Sequence, residues 1–246
     1  MPDLDKPGLW LLAAGLAALG VIGIATEQLI EGLQPVEAPN RVVALANGGM
    51  LLVNGASLLI GRFRNKGAML LGALMVVSLA LQFPGLLAAP ADVTLWVSAA
   101  QAVAIAATLW LLIKPENGGA RLAARIVVGA MLILFGAVHL MYPAAIAGMI
   151  PAWMPGQTLW PYATGAGQIV AGLAIVSGFF ARPAAALIGA MFVSWVLVVH
   201  APRIAAAPTS RSEWTFMALA LVLAGVVWTA RRALPASGGD LPSRTH

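Results

Sequence analysis

Polar side chains within long apolar runs are the residues of this sequence that could do chemistry. His139, Thr164 and Gln168 lie in the charge-free window 126–181, and His200 lies in the window 183–202. Polar and ionisable groups in such segments are functional candidates, because burying them away from water costs free energy. The structural alternative is that they form hydrogen bonds between helices, each worth about 0.6–2 kcal/mol. For His139, Gln168 and His200 both interpretations stay open.

The same two histidines do not make a convincing haem or metal site. Two His residues without a third ligand fall short of a zinc site, and a haem needs an opposed pair facing one cavity. The chain contains 0 Cys, which excludes disulfides, thiolate metal sites and Cys nucleophiles. No nucleotide-binding loop, catalytic triad or paired-carboxylate motif is present. The sequence therefore assigns no metal and no catalytic residue, and haem is not favoured as a cofactor.

The composition indicates which elements must position these groups. Of the 246 residues, 61% are hydrophobic and only 9% are charged, and the mean hydropathy is +0.91. Soluble domains have about 25% charged residues, so a soluble enzyme, a nucleic-acid-binding protein and a disordered chain are excluded. The net charge of +5 comes from residues between the apolar runs, which is typical of loops that orient membrane helices. The sequence predicts an all-α integral membrane protein with the lipid bilayer as its surroundings.

Charge-free windows of spanning length predict eight transmembrane helices. Their predicted bounds are 9–30, 42–61, 67–88, 94–113, 122–141, 161–180, 184–202 and 214–232. With the N-terminus inside, 11 of the 14 Lys and Arg residues fall on the inner side, so the positive-inside rule places both termini in the cytoplasm. His139, Gln168 and His200 then lie in the outer leaflet, where we expect a polar pocket between the helices of one half.

The two halves of the chain resemble each other at an offset of 118 residues. Trp96 and Trp110 correspond to Trp214 and Trp228. At an offset of 117, the glycines also correspond: Gly48, Gly55, Gly61 and Gly72 to Gly165, Gly172, Gly178 and Gly189. This internal repeat predicts two parallel four-helix units, 1–115 and 116–234, followed by a cytoplasmic tail at 235–246. The glycines of the second and sixth helices predict close helix packing.

Three further polar residues, Asn47, Asn54 and Gln101, lie on predicted helices two and four. For these we favour the structural interpretation, hydrogen bonds between helices.

An uncharged, proline-rich segment, 143–156, connects the fifth and sixth predicted helices. Trp153 lies in it, and Trp160 and Tyr162 follow; such aromatic residues suit the headgroup level of a membrane. The segment is either a loop anchored by these aromatics or a lid over the polar cluster through which an apolar ligand enters.

This stretch also carries a family resemblance. The motifs are Gly136–His139, Pro151-Ala152-Trp153-Met154-Pro155, Trp160-Pro161-Tyr162-Ala163-Thr164-Gly165 with Gln168, and His200-Ala201-Pro202. Over about residues 122–232, the sequence resembles the DoxX-like integral membrane proteins, and the first half resembles a diverged copy. Members of that family often carry Glu where this chain has Gln168, so a proton-coupled role is not expected there.

The resemblance implies a four-helix membrane module, and it implies association with redox enzymes, since some relatives are subunits of thiosulfate:quinone oxidoreductases. It also implies the bacterial cytoplasmic (inner) membrane. The leading hypothesis is a protein that binds quinone or another small lipophile through His139, Trp153, Tyr162, Thr164, Gln168 and His200. A small-solute transporter and a non-catalytic scaffold or assembly partner are the alternatives.

Overall fold

The computed structural model describes residues 5–34 and 40–235, and within these ranges the chain forms helices and turns but no strand. The predicted tail therefore lies outside the described residues except for Pro235. The helices are α1 (Asp5–Thr26), α2 (Arg41–Ser57), α3 (Gly61–Ala88), α4 (Val93–Ile113), α5 (Gly118–Met141), α6 (Pro143–Ala147), α7 (Trp160–Ser177), α8 (Ala181–Trp195), α9 (Ala201–Ala206) and α10 (Arg211–Ala230). A π-helical segment, Val196–His200, joins α8 to α9 without a break.

Six segments of the described chain are long and apolar enough to cross a membrane. They are Lys6–Thr26, Gly61–Ala88, Val93–Ile113, Gly118–Met141, Ala181–Ala206 and Arg211–Ala233. Each of the eight predicted segments overlaps a helix, but α2 and α7 are not among the six. The α2 helix has only 17 residues, and α7 carries Tyr162, Thr164 and Gln168 in its first half. The protein is therefore an all-helical, multi-pass membrane protein.

Side chains at the start of three helices accept hydrogen bonds from the first turn. Asn40 Oδ1 accepts from the Val43 amide at 3.0 Å before α2, and Asn117 Oδ1 accepts from the Ala120 amide at 2.9 Å before α5. Asp92 Oδ1 accepts from the amide of Thr94 at 2.9 Å and from its hydroxyl at 2.6 Å. These bonds stabilise the carboxylate and lower the pKa of Asp92. The caps satisfy amides that a helix leaves unpaired.

The first helix ends four residues earlier than predicted, at Thr26 and not at residue 30. Glu27 adopts a left-handed conformation with a φ of 56°, which turns the chain back on itself. Residues 28–34 (loop 28–34 below) then pack into the bundle, and Leu29, Ile30 and Leu33 are buried. The predicted helix thus divides into a span and an apolar loop.

The long helices contact one another in a closed ring. Going round it, the neighbours are α1, α2, α3, α4, α5, α7, α8 and α10, and α10 returns to α1. The α4 and α10 helices also touch across the ring. Both halves of the chain therefore share one apolar core, with Ile105 of α4 and Val222 of α10 fully buried within it.

Glycines allow close backbone contact between α5 and α7. A Cβ atom added at Gly165 would lie 2.9 Å from the Gly136 oxygen, and one added at Gly172 would lie 2.5 Å from the Gly129 oxygen. Between α1 and α2, a Cβ at Gly48 would likewise lie 2.9 Å from Gly20 O. Small residues at such interfaces let helices pack where no hydrophobic driving force exists between them in lipid. The close packing predicted at the glycines of the second and sixth helices is found at α2 and α7.

A pair of alanine substitutions on α7 tests this packing. Gly172→Ala should lower the free energy of unfolding by about 1–3 kcal/mol, because the new methyl group overlaps the α5 backbone. The matched control is Gly167→Ala, since no described atom other than those of its chain neighbours and its own helix backbone lies within 4 Å of that Cβ position. The control should be neutral or stabilising by up to about 1 kcal/mol, because Ala favours a helix. Reversible denaturation in mixed micelles measures both, and equal effects would contradict the packing.

Candidate functional site

A cavity of about 590 Å³ lies at the end of the bundle that contains His139 and His200. We call this the histidine end. A cavity of this size falls within the usual range for small-molecule sites, about 300–1,000 Å³. Its walls are mainly apolar, and four of its side chains are aromatic: Phe135, Phe192, Trp195 and Phe216. The lining comes from both halves of the chain, whereas the sequence predicts a pocket within one half.

Loop 28–34 forms one wall of the cavity, through Glu31, Gly32 and Gln34. Gln34 Nε2 donates to Asn47 Oδ1 at 2.6 Å, and Asn47 Nδ2 donates back to Gln34 Oε1 at 2.8 Å. Gln34 Nε2 also donates to Ser78 Oγ at 3.1 Å. These bonds connect the loop to α2 and α3 and satisfy buried amide groups that would otherwise be costly.

Two further glutamines hold the loop by its backbone. Gln82 Nε2 donates to Leu33 O at 3.2 Å and to Ser78 O at 3.1 Å, while Gln101 Nε2 donates to Gly32 O at 3.0 Å. Both side chains are buried and also line the cavity. The bonds predicted between helices for Gln101 and Asn47 thus form instead between a helix and loop 28–34. Asn54, by contrast, donates to Met50 O within its own helix.

His139 lies on the cavity wall near the end of α5. Its Nδ1 lies 2.8 Å from Phe135 O, one turn earlier in the same helix. Its ring stacks on Trp195 of α8, with centroids 5.7 Å apart and an interplanar angle of 23°. The carbonyl and the indole together hold the imidazole in one orientation, with its Nε2 edge free of those two contacts.

His200 reaches the cavity from the π-helical segment between α8 and α9. Pro202 follows two residues later and has no amide hydrogen, so a regular helix cannot be maintained there. The helical turn there contains one additional residue, and the Ala201 amide donates to Val196 O five residues back. Such π turns are frequent at functional sites. His200 Nδ1 is buried without a hydrogen-bond partner among residues 5–34 and 40–235.

The structure brings Thr164 to the cavity together with the two histidines. Its hydroxyl donates to Trp160 O at 2.7 Å. Gln168 is fully buried and lies outside the cavity lining, and in the described chain neither of its amide atoms has a partner. Trp153 and Tyr162 are 66% and 51% exposed, and the described lining does not include them. Three of the six predicted site residues therefore meet at one cavity.

Several lining residues were not predicted from the sequence, among them Glu31, Gln34, Thr94 and Ser98. Loop 28–34 carries the clearest missed signal. It contains Leu29, Ile30 and Leu33 before Gln34, and an apolar loop of this kind is typical of a segment that packs into protein. No group of three or more His, Cys, Asp or Glu that could hold a metal occurs in the part of the chain that the structure describes.

The first turn of α10 holds the loops at the histidine end. Arg203 donates to Glu213 through Nε at 2.8 Å and through NH2 at 2.6 Å, and its NH1 donates to Gly148 O at 3.4 Å. Ser212 Oγ donates to Glu31 Oε2 at 2.8 Å, and Arg211 donates to Leu29 O. One helix start thus fixes loop 28–34 and the segment after α6, and both segments contribute to the cavity lining.

These observations define a class: a multi-pass α-helical membrane protein with an apolar cavity at one end of its bundle. Residues 120–201 match the sequence profile of the DoxX family. The matched range includes α5, α7 and α8, and with them His139, Thr164, Gln168 and His200. The DoxX resemblance of the second half is confirmed over these residues. Comparisons of the chain with curated proteins and with solved structures gave no significant match.

The bidentate Arg203–Glu213 pair should contribute to stability. Its side chains are 32% and 13% exposed, so Glu213→Gln should lower the free energy of unfolding by about 1–2 kcal/mol, between the values for surface and buried pairs. The control is Glu27→Gln, which breaks the Arg41–Glu27 pair, with side chains 70% and 42% exposed. The control should change stability by less than about 0.5 kcal/mol. Thermal unfolding in detergent measures both, and a larger loss in the control would refute the assignment.

Proposed function

We propose that the cavity at the histidine end binds the polar head of a neutral lipophile, with a quinone-type ring as the ligand class. The observation that carries the proposal is the combination of an apolar, aromatic-walled cavity with two histidines from different helices. Ligand sites are typically apolar with a few convergent polar groups. A membrane protein meets such ligands in the bilayer, where they are soluble.

In this proposal His139, Thr164 and His200 contact the polar head of the ligand. The aromatic side chains of Phe135, Phe192 and Phe216 surround the ring. We do not assign Gln168, Trp153 or Tyr162 a direct contact, because they lie away from the cavity lining. Trp153 and Tyr162 instead suit the membrane interface, as exposed aromatic residues near helix ends do.

We also propose that the eight long helices are two copies of a four-helix unit, 1–115 and 116–234. The neighbour pairs α1–α2, α2–α3 and α3–α4 have counterparts in α5–α7, α7–α8 and α8–α10. The correspondence extends to single bonds, since Trp96 Nε1 donates to Pro90 O at 3.0 Å and Trp214 Nε1 donates to Pro208 O at 2.9 Å. Trp96 and Trp214 are separated by the offset of 118 residues, and so are Pro90 and Pro208. Under this proposal the cavity lies between the two units.

The orientation proposal places the histidine end outside and both termini in the cytoplasm of a bacterial inner membrane. At the opposite end of the bundle, Arg182 Nε donates to Leu234 O at 3.0 Å, which brings the start of α8 beside the end of α10. Arg125 lies there as well, because its guanidinium is 3.7 Å from the Cβ position of Gly178. A cluster of arginines at one end is typical of the cytoplasmic side.

Association with a redox enzyme rests on the family resemblance alone. Mild solubilisation followed by affinity purification tests it: a redox enzyme recovered in fixed ratio with the chain supports the association. Recovery of a homogeneous lone protein counts against it.

A quinone titration of the purified protein tests the binding site. His139→Ala and His200→Ala should each weaken binding of a short-tailed benzoquinone or its quinol by up to about tenfold, the combined effect of lost ring packing and, where the head group can form one, a lost hydrogen bond. The matched controls are Met141→Ala and Leu197→Ala, which change residues 63% and 68% exposed beside the two histidines. The controls should bind as the unmodified protein does. If both histidine variants also bind normally, the proposed site is wrong.

A further inference from the structure

We infer that the cavity selects a ligand whose head donates hydrogen bonds, and so binds a quinol in preference to the corresponding quinone. This inference rests on the proposed function and specifies its ligand. Quinol and quinone rings have nearly the same size and differ in polarity at the head. A quinol carries two hydroxyl groups that donate, whereas a quinone carries two carbonyl oxygens that only accept. The hydrogen-bonding character of the cavity wall therefore decides between them.

The first observation is the fixed orientation of His139. Because Phe135 O can only accept, the Nδ1 atom at 2.8 Å must carry the hydrogen. In a neutral imidazole the other nitrogen is then an acceptor. To offer a hydrogen bond to a quinone, Nε2 would need a second proton, and a charged imidazolium among apolar side chains is costly. His139 therefore presents an acceptor to the cavity.

Two glutamine side chains of the lining also carry acceptor atoms. The amide nitrogens of Gln82 and Gln101 donate to backbone carbonyls of loop 28–34, which fixes each amide with its nitrogen toward the loop. Their Oε1 atoms are buried and lack hydrogen-bond partners within the described ranges. These oxygens have almost no accessible surface, so they favour a donor head by their negative partial charge behind the wall and not by a direct hydrogen bond.

Two more lining groups are acceptors by the same reasoning. The Thr164 hydroxyl uses its hydrogen on Trp160 O, and Glu31 accepts from Ser212. His200, Ser98, the Trp195 indole and the second amide hydrogen of Gln101 remain able to donate among the lining residues. The groups with a fixed acceptor character are thus His139 of α5 and Thr164 of α7, and a head group placed beside them is favoured when it carries hydroxyl groups and not carbonyl oxygens.

A three-ligand comparison on the unmodified protein tests this directly. Under anaerobic conditions, the purified protein in detergent is titrated with a short-tailed benzoquinol, the matching benzoquinone and the dimethyl ether of the quinol. The quinol should bind at least about tenfold tighter than the other two, the effect of one additional hydrogen bond in a buried site. Tighter binding of the reduced form also raises the midpoint potential of the bound couple, by about 30 mV for a tenfold preference.

A His139→Phe variant then locates the preference. It keeps a flat ring against Trp195 and removes the acceptor, so quinol affinity should fall about tenfold while quinone affinity stays within about twofold. Met141→Ala on the same helix is the control and should keep the preference of the unmodified protein.

The outcomes separate the two proposals. If the quinone or the ether binds as tightly as the quinol, the selectivity inference is wrong and the lipophile site stands. If none of the three binds, both the site and the inference are wrong. A preference that survives in His139→Phe overturns the role given to that residue.

Discussion

The hydrogen bonds between Gln34 and Asn47 are the interaction on which the site depends. They hold a loop of apolar residues inside a helix bundle, where unpaired amide groups would be costly. The loop lies at the histidine end, and its backbone carbonyl groups accept hydrogen bonds from the side-chain amide nitrogens of Gln82 and Gln101. As a result, part of the cavity lining comes from a loop of the first half, and the part with His139 and His200 comes from the second half.

Most of the helical framework could be predicted from the sequence. The absence of charge over some 20 residues is a strong signal in lipid, and the observed ends of α4 and α5 lie within four residues of those predicted. The errors arise at positions where a local backbone conformation determines where a helix ends. Glu27 adopts a positive φ and ends α1 early. The seventh helix was predicted to end at Pro202. The π-helical segment before it accommodates the missing amide hydrogen of Pro202, and the helix continues to Ala206.

The site was harder to predict, because spacing along one helix does not say which helices are neighbours. His139, Thr164 and His200 were found as polar residues in apolar runs, and the structure brings them to one cavity. Tyr162 and Trp153 are of residue types common in binding sites, but their side chains are exposed on the outside of the bundle. The apolar residues of loop 28–34 were a signal for its burial that was missed, but its place at the cavity could not be deduced from them, since that place depends on the partners that Asn47, Ser78 and Gln101 provide from three different helices.

Photo-crosslinking in native membranes tests the central claim, that a lipophile occupies the cavity between the halves, most directly. A quinone analogue with a photoreactive group on its ring should label peptides from α4, α5, the Val196–His200 segment and α10, and an excess of unlabelled ligand should abolish that labelling. Labelling confined to residues on the outer surface of the bundle, such as Val53 or Val76, or labelling that an excess of ligand does not reduce, would contradict the account.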